Sequence, residues 1–498
     1  MSSSSGEQTF VDWFKARGGT VHDAVGFKQF EGQGRGCVAL QDIESELLSR
    51  PSVGSTRLAR SLNEQQRSAE STTTARSEEV SERRRGADIR PRPQADTVLF
   101  SIPRPILLTT STAALPTLLP AEEWAELGGW TPLILSMMYE YLRTSTWQPY
   151  FALLPTEFDS LMFWSDEELA QLEGSTVLGK IGREEANETF DETVKPFVEK
   201  HAAVFGDASD YSAELFHRMG SLVLSRSFHV DSKPDVDDED DDEDSDDEEE
   251  EREDVADVAM VPFADILNAK SGANNARLFY EPTTLNMMST THIPAGAQIY
   301  NTYADPPNPD LLRRYGHVDE VNEADLVEIG LETVVDLVGE ARGMGEEERE
   351  ARAEWLLEMG IDDTFSIETN HKLPDELVSA IRAFSLSDED FAKAQKKESP
   401  PKPKLDAESA AWARKIVEQR LGEYKTTVEE DEALLQDGSI PLRRRMAVIV
   451  RLGEKRLLQG AKSKLDAEWP EGEAKPATQD KKRSRDAKDG GRKKKAKQ

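Results

Sequence analysis

Apolar residues in this chain either recur at helical spacing or cluster in short runs between turn residues, and the two patterns predict different elements. Phe10, Trp13 and Phe14 lie three and four positions apart before Gly18 and Gly19, which predicts a helix over 9–17 that packs by its aromatic face. The stretch 25–43, VGFKQFEGQGRGCVALQDI, holds two extended apolar segments around Gly32, Gly34 and Gly36 and reads as a glycine-rich hairpin. Strand-like sequence resumes at 98–104, VLFSIPR. From 120 to 230 the period is helical: Leu133, Ile134, Met137, Met138, Tyr141 and Leu142 form one apolar face behind Thr131 and Pro132. Ser165 and Glu168 have the spacing of a capping box, and a later helix ends in Ser225, Arg226, Ser227 and Phe228. Between 258 and 320, short runs of Val, Ile, Leu, Phe and Tyr are separated by turn residues such as Pro294 and Gly296, so strands are expected, with a turn at Asn268. Helical periodicity returns beyond 320 and continues to about 465, with Pro374 opening one helix and 442–458 forming another.

Composition changes the picture at three places. Residues 51–94 are rich in Ser, Thr, Arg and Glu without one aromatic, which predicts a disordered insertion over about 50–95. The formal charge of −35 is concentrated, since 235–254 holds seventeen carboxylates and one arginine, while 481–497 holds ten basic residues and two acidic ones. Like-charge blocks of this kind bury no apolar surface, so a disordered acidic run (232–255) and a disordered basic tail (471–498) are expected. The remainder, within 498 residues that are 37% hydrophobic, is enough for roughly two to four packed domains. No run approaches the roughly 20 apolar residues that span a bilayer, so no membrane association is expected. The single cysteine, Cys37, excludes an intramolecular disulfide and a cysteine-cluster zinc site, and no metal is expected.

Candidate chemistry concentrates late in the chain. Tyr303, in Asn-Thr-Tyr, and Tyr315, in Arg-Arg-Tyr-Gly, flank a proline-rich turn, downstream of Asn268. Each has an ordinary reading on its own: a tyrosine in a strand usually packs, and an asparagine after Ile-Leu usually makes a turn. Arg226 is a charge at the end of an apolar helix. The glycines at 32, 34 and 36 lack the spacing and following helix of a dinucleotide or phosphate loop.

Taken together, Val-Pro-Phe-Ala-Asp-Ile-Leu-Asn at 261–268, Gly-Ala-Gln-Ile-Tyr-Asn-Thr-Tyr at 296–303 and Leu-Leu-Arg-Arg-Tyr-Gly at 311–316 resemble the C-terminal half of a SET domain, in the Rubisco large-subunit methyltransferase-like group of protein-lysine methyltransferases. The resemblance implies an α+β fold: an N-terminal helix (1–24), a β-rich SET domain (25–320) with a helical insert (about 120–230), and a mostly α-helical substrate-binding domain (321–470). It implies S-adenosylmethionine as cofactor and Tyr303 as the catalytic tyrosine. Gly34, Arg35, Gly36, Arg226, Asn268, Tyr303 and Tyr315 would hold the cofactor, with Arg226 facing its carboxylate. Ser225, Phe228 and Tyr315 would contact the substrate. The group's Asn-His pair stands here as Asn268 and Ala269, which removes any ring contact from that position.

The acidic run would attract a basic protein substrate. The resemblance favours a large-subunit ribosomal protein, with a histone or other nuclear protein as the alternative. Basic clusters at 481–483 and 492–495 are of the kind read as nuclear localisation, with the cytoplasm also open, or as a nonspecific RNA-binding tail. A catalytically silent SET-like module that chaperones basic proteins is the competing reading. Such a module would be free to lose Tyr303, Tyr315, Asn268 and the glycines.

Overall fold

The computed structural model describes residues 5–30, 32–44, 97–143, 145–230, 258–270, 272–302 and 304–470. The expectations for 50–95, for the acidic run and for the basic tail lie outside these residues, as does Tyr303. Contacts divide the chain into two compact units, one of Met1–Leu326 with Tyr424–Glu454, the other of Val327–Glu423 with the residues from Lys455 on.

In the first unit the strands are β1 (Thr20–Val21), β2 (Val25–Phe30), β3 (Gly34–Ala39), β4 (Val98–Pro103), β5 (Ser227–His229), β6 (Val258–Met260), β7 (Asn268–Ala269), β8 (Ala276–Tyr280), β9 (Thr284–Ser289) and β10 (Gln298–Asn301). They form one sheet in the order β1-β4-β9-β8, a second in the order β2-β3-β10-β7, and a β5–β6 pair. The glycine-rich hairpin is present as β2 and β3, with Phe30 opposite Gly34 at its tip. In β9 burial alternates, with Leu285, Met287 and Ser289 inside, as a strand with one covered face requires.

The second sheet is where the structure departs from the local reading. Asn268 is not a turn residue; it opens β7, which runs parallel to β10 with Asn268 opposite Tyr300. β10 also pairs antiparallel with β3, placing Gln298 opposite Val38 and Ile299 opposite Cys37. Three segments widely separated in sequence therefore lie side by side.

Aromatic packing holds this arrangement. The helix α1 (Ser5–Ala16) buries Phe10 and Phe14 fully. Both rings lie against Phe263, at 5.6 and 5.1 Å between centroids, and Phe27 and Phe100 approach the same ring at 5.2 and 4.5 Å. Offset aromatic contacts at these distances add about 0.5–1.5 kcal/mol each beyond area burial.

The insert is helical as expected. In α2 (Thr131–Leu142) the N-cap is Trp130, one residue earlier than the sequence suggested, and Pro132 sits in the first turn, where its missing N–H costs nothing. Ser165 and Glu168 make both bonds of their capping box. The helix α3 (Ala213–Arg226), capped by Ser212, packs on α2.

In the second unit, β11 (Leu326–Gly330) and β12 (Thr364–Glu368) pair as a small ribbon that helical periodicity did not signal. Around it stand α4 (Glu346–Glu358), α5 (Asp375–Ser385) and α6 (Ala407–Gly422). The Arg352 guanidinium is buried, donates to the carbonyls of Ala383 and Leu386, pairs with Glu348 and Asp388, and lies 4.4 Å from the Phe391 ring. A buried charge is tolerated only when so surrounded.

Candidate active site

β3 supplies the floor of the site. Gly34 has φ +71°, a backbone conformation that favours glycine, and it turns the chain into β3. At Gly36 a Cβ would lie 2.7 Å from Asn268 Nδ2 and 2.8 Å from Gln298 Nε2, so only glycine leaves both amides where they are. Neither nitrogen has a hydrogen-bond partner although both are buried. A buried unsatisfied donor costs about 1–3 kcal/mol, so two of them beside one bare backbone position point to a ligand that accepts there. S-adenosylmethionine fits that donor set, since its carboxylate, ribose and adenine all present acceptors.

The adjoining wall is the turn of residues 264–266. Arg226, at the end of α3, donates from Nη1 to the backbone carbonyl of Asp265. The Asp265 side chain is 3% exposed; Oδ2 accepts the Tyr150 hydroxyl at 2.6 Å, and Oδ1 has no partner. Burial pushes the Asp265 carboxyl up to about 6, while the Arg226 charge and the Tyr150 hydrogen bond act to hold it down. Tyr150, itself fully buried, is pushed well above the ordinary phenol range by the same burial and by the Asp265 charge.

The other sequence-predicted residues are placed less uniformly. Arg35 commits its guanidinium elsewhere, with Nη1 donating to the Leu153 carbonyl at 2.5 Å and Nε lying 3.4 Å from Glu7. Ser225 donates its hydroxyl to the Ser221 carbonyl at 2.7 Å within α3. Phe228 is half-buried against the core and pairs with Ala259 across β5 and β6. Tyr315 closes a single wide helical turn, Leu311–Tyr315, and burial raises its phenol pKa. The sequence had placed it in a β region. Gly316 follows with φ +72°.

Two cavities border these elements. A small one of about 20 Å³ lies at Ala269 and is lined also by Thr302, Ala304 and His317. An imidazole thus reaches the neighbourhood of Ala269 from the segment after Tyr315, and burial lowers its pKa, favouring the neutral ring. A larger one, about 770 Å³, is lined by Trp130, Ile134, Ser221 and Leu224 of the insert and by Arg313 and Arg314.

Sequence reasoning missed Gln298, Asp265, Tyr150 and His317. For the first two a signal existed: each is a polar residue inside an apolar run, Ala-Gln-Ile and Ala-Asp-Ile, where a side chain is buried only with a partner or a purpose. A direct check of the floor is Gly36→Ala. The added methyl displaces flexible amide ends rather than backbone, so affinity for S-adenosylhomocysteine should fall at least about tenfold with little change in melting temperature, as lost charge-assisted or neutral hydrogen bonds of this kind imply. Calorimetric titration and a thermal melt separate the two effects.

Comparison with known proteins agrees with this geometry. A family model described as Rubisco LSMT substrate-binding matches residues 345–458. Ribosomal lysine N-methyltransferase 4 of Saccharomyces cerevisiae is 34% identical over 254 residues, 49% of this chain and 51% of that protein, so the match spans about half of each. N-lysine methyltransferase setd6 of Danio rerio is 30% identical over 402 residues, 73% of this chain and 85% of that protein, and the Homo sapiens SETD6 is 29% identical over 398 residues, 73% and 81% of the two chains. Among solved structures, Rubisco LSMT bound to AdoMet superposes with a TM-score of 0.61 at 21% identity, covering 94% of this chain and 92% of that one, which establishes the shared fold. With a SET-type core, a matching substrate-binding domain and a relative this similar over most of its length, the chain belongs to the Rubisco large-subunit methyltransferase-like group of SET-class protein-lysine N-methyltransferases, enzymes that draw their methyl group from S-adenosylmethionine.

Proposed function

We propose that this enzyme methylates a lysine of a large-subunit ribosomal protein, in the nucleus and before or during assembly, with Tyr303 beside the transfer axis. The difficulty is the nucleophile. A lysine of pKa about 10.4 is neutral in only about one molecule in 2,500 at pH 7, a deficit of roughly 4.6 kcal/mol. A dry channel lowers that cost by disfavouring the ammonium, so no strong base is needed. Bound at the Gly36 floor, S-adenosylmethionine supplies a methyl group on a positively charged sulfur. The chain's own residues do the rest by positioning, which can be worth about 7–11 kcal/mol. Asn268 and Gln298 offer amide donors, Arg226 a guanidinium for a carboxylate, and Tyr315 lines the channel. The Tyr303 hydroxyl lies, on this reading, next to the lysine nitrogen and the methyl group.

The observation that carries the ribosomal assignment is the 34% identity to the yeast ribosomal lysine N-methyltransferase. The seventeen carboxylates at 235–254 suit a basic partner, with an attraction that weakens as the Debye length falls to about 8 Å at physiological salt. The longer alignments to SETD6 proteins, N-lysine methyltransferases matched over 73% of this chain, favour a second reading, a lysine on a protein outside the ribosome such as a histone or other nuclear protein carrying the basic charge the acidic run would attract. Intact masses of ribosomal proteins from cells with and without the enzyme decide between them. One large-subunit protein is expected to lose about 14 Da for each missing methyl. No mass change in any ribosomal protein would reject this substrate while leaving the enzyme class intact, and a version truncated at Glu471 shows whether the tail directs the protein to the nucleus.

A further inference from the structure

The cofactor reading accounts for the unpartnered amides of Asn268 and Gln298 and for Arg226, but it leaves a buried acid and a buried phenol without a task. Tyr150 is fully buried, in the short helix Gln148–Phe151 of the insert, and it reaches 115 residues along the chain to the Asp265 carboxylate. Asp265 lies at the middle of a turn with two functional exits. Its carbonyl receives Arg226, and three residues later the chain enters β7 at Asn268.

The two ends of this turn are already fixed. Phe263, which opens it, has φ +87°, a conformation that costs an aromatic residue about 1–3 kcal/mol and persists only where packing over-determines it. The packing is the set of rings from Phe10, Phe14, Phe27 and Phe100 around it. At the other end Asn268 is registered against Tyr300 of β10. Between them the backbone closes on itself, with the Asp265 N–H on the Val261 carbonyl and the Ile266 N–H on the Phe263 carbonyl, and the side chain that reaches the middle of the turn from elsewhere in the fold is Tyr150, whose hydroxyl donates to Oδ2. Without it the Asp265 carboxyl, with Oδ1 already unpartnered, would have reason to rotate, and the carbonyl under Arg226 and the backbone leading to Asn268 would move with it.

We infer that Tyr150 is a positioning residue of the cofactor site: its hydroxyl, through Asp265, holds Arg226 and Asn268 in the orientations that grip the amino-acid end of S-adenosylmethionine. The inference rests on the cofactor reading above. Tyr150 touches no reacting atom, so its loss should appear in cofactor binding and not in the chemical step.

The test uses the full-length chain and S-adenosylhomocysteine as probe. Tyr150→Phe keeps the ring, with its neighbours Phe10 and Phe151 at 6.4 and 6.0 Å, and removes only the hydroxyl. Calorimetric titration should show about tenfold weaker binding, the scale of one buried hydrogen bond to a charged group. The KM for S-adenosylmethionine should rise in proportion, with kcat at saturation within about threefold of the parent. The control is Tyr141→Phe, which removes a hydroxyl from the same insert where it accepts from Arg218, and should bind the probe as the parent does. A second measurement needs no ligand: hydrogen exchange of the amides from 264 to 268 should quicken in Tyr150→Phe while β8 and β9 stay protected. Binding within twofold of the parent, an equal loss in Tyr141→Phe, or unchanged exchange in the turn would each overturn the inference. If the parent itself failed to bind the probe, the cofactor reading would fall and this inference with it; a parent that binds beside an unaffected Tyr150→Phe removes only the latter.

Discussion

Replacing Tyr303 by phenylalanine should lower kcat and kcat/KM together by at least about 100-fold, the size of one lost hydrogen-bonding group at a developing transition state. The expectation follows from the Asn-Thr-Tyr motif and its match to the SET pattern. In the proposed mechanism the ground-state complex gains little from this hydroxyl, because cofactor and lysine are gripped by the Gly36 floor, Arg226 and the channel. Affinity for S-adenosylhomocysteine and melting temperature should therefore be those of the parent. Methyl transfer from tritiated cofactor to a basic protein extract, alongside titration and melting, makes the distinction. Undiminished turnover would remove Tyr303 from the chemistry.

Gly316→Ala should be the most damaging single substitution next to the site, and for a different reason. Gly316 holds φ +72°, and a Cβ there would stand 2.6 Å from the Ser160 nitrogen and 2.7 Å from the Asp159 carbonyl carbon. These are backbone atoms, fixed in turn by the Trp164 indole on the Asp159 carbonyl and by the Arg443 guanidinium on the Asp159 carboxylate. They cannot swing aside as the amides at Gly36 can. Left-handed strain and overpacking together should cost about 3 kcal/mol or more, a fall in melting temperature on the order of 10 °C. Because Tyr315 is the preceding residue, activity should decline even below the melting transition. A thermal melt near that of the parent would mean that the 311–316 turn can be relaid without penalty.

The contrast between the two glycines shows how far sequence carries. Both stand in motifs, and both invite a reading as conformational glycines. Only the structure shows that Gly36 makes room for side chains and Gly316 for a neighbouring backbone. The motif order Asn268, Tyr303, Tyr315 gave the family, because a shared fold constrains residue types at fixed places along the chain. It did not give the local geometry: Asn268 enters a strand, and Tyr315 closes a helical turn.

The sequence by itself determined what depends on near neighbours. Helical spacing and caps marked α1, α2, α3 and the capping box at Ser165, and glycine-flanked apolar runs marked the β2–β3 hairpin, since these elements form from interactions within a few residues of one another. Tertiary structure decided what depends on distant ones. The parallel placement of β7 on β10, the meeting of Gly36, Gln298 and Asn268, and the Tyr150–Asp265 contact join segments about 30 to more than 250 residues apart. No local period encodes such pairings. A polar residue in an apolar run announces that it needs a partner, but which partner is settled only when the sheets close and water is excluded.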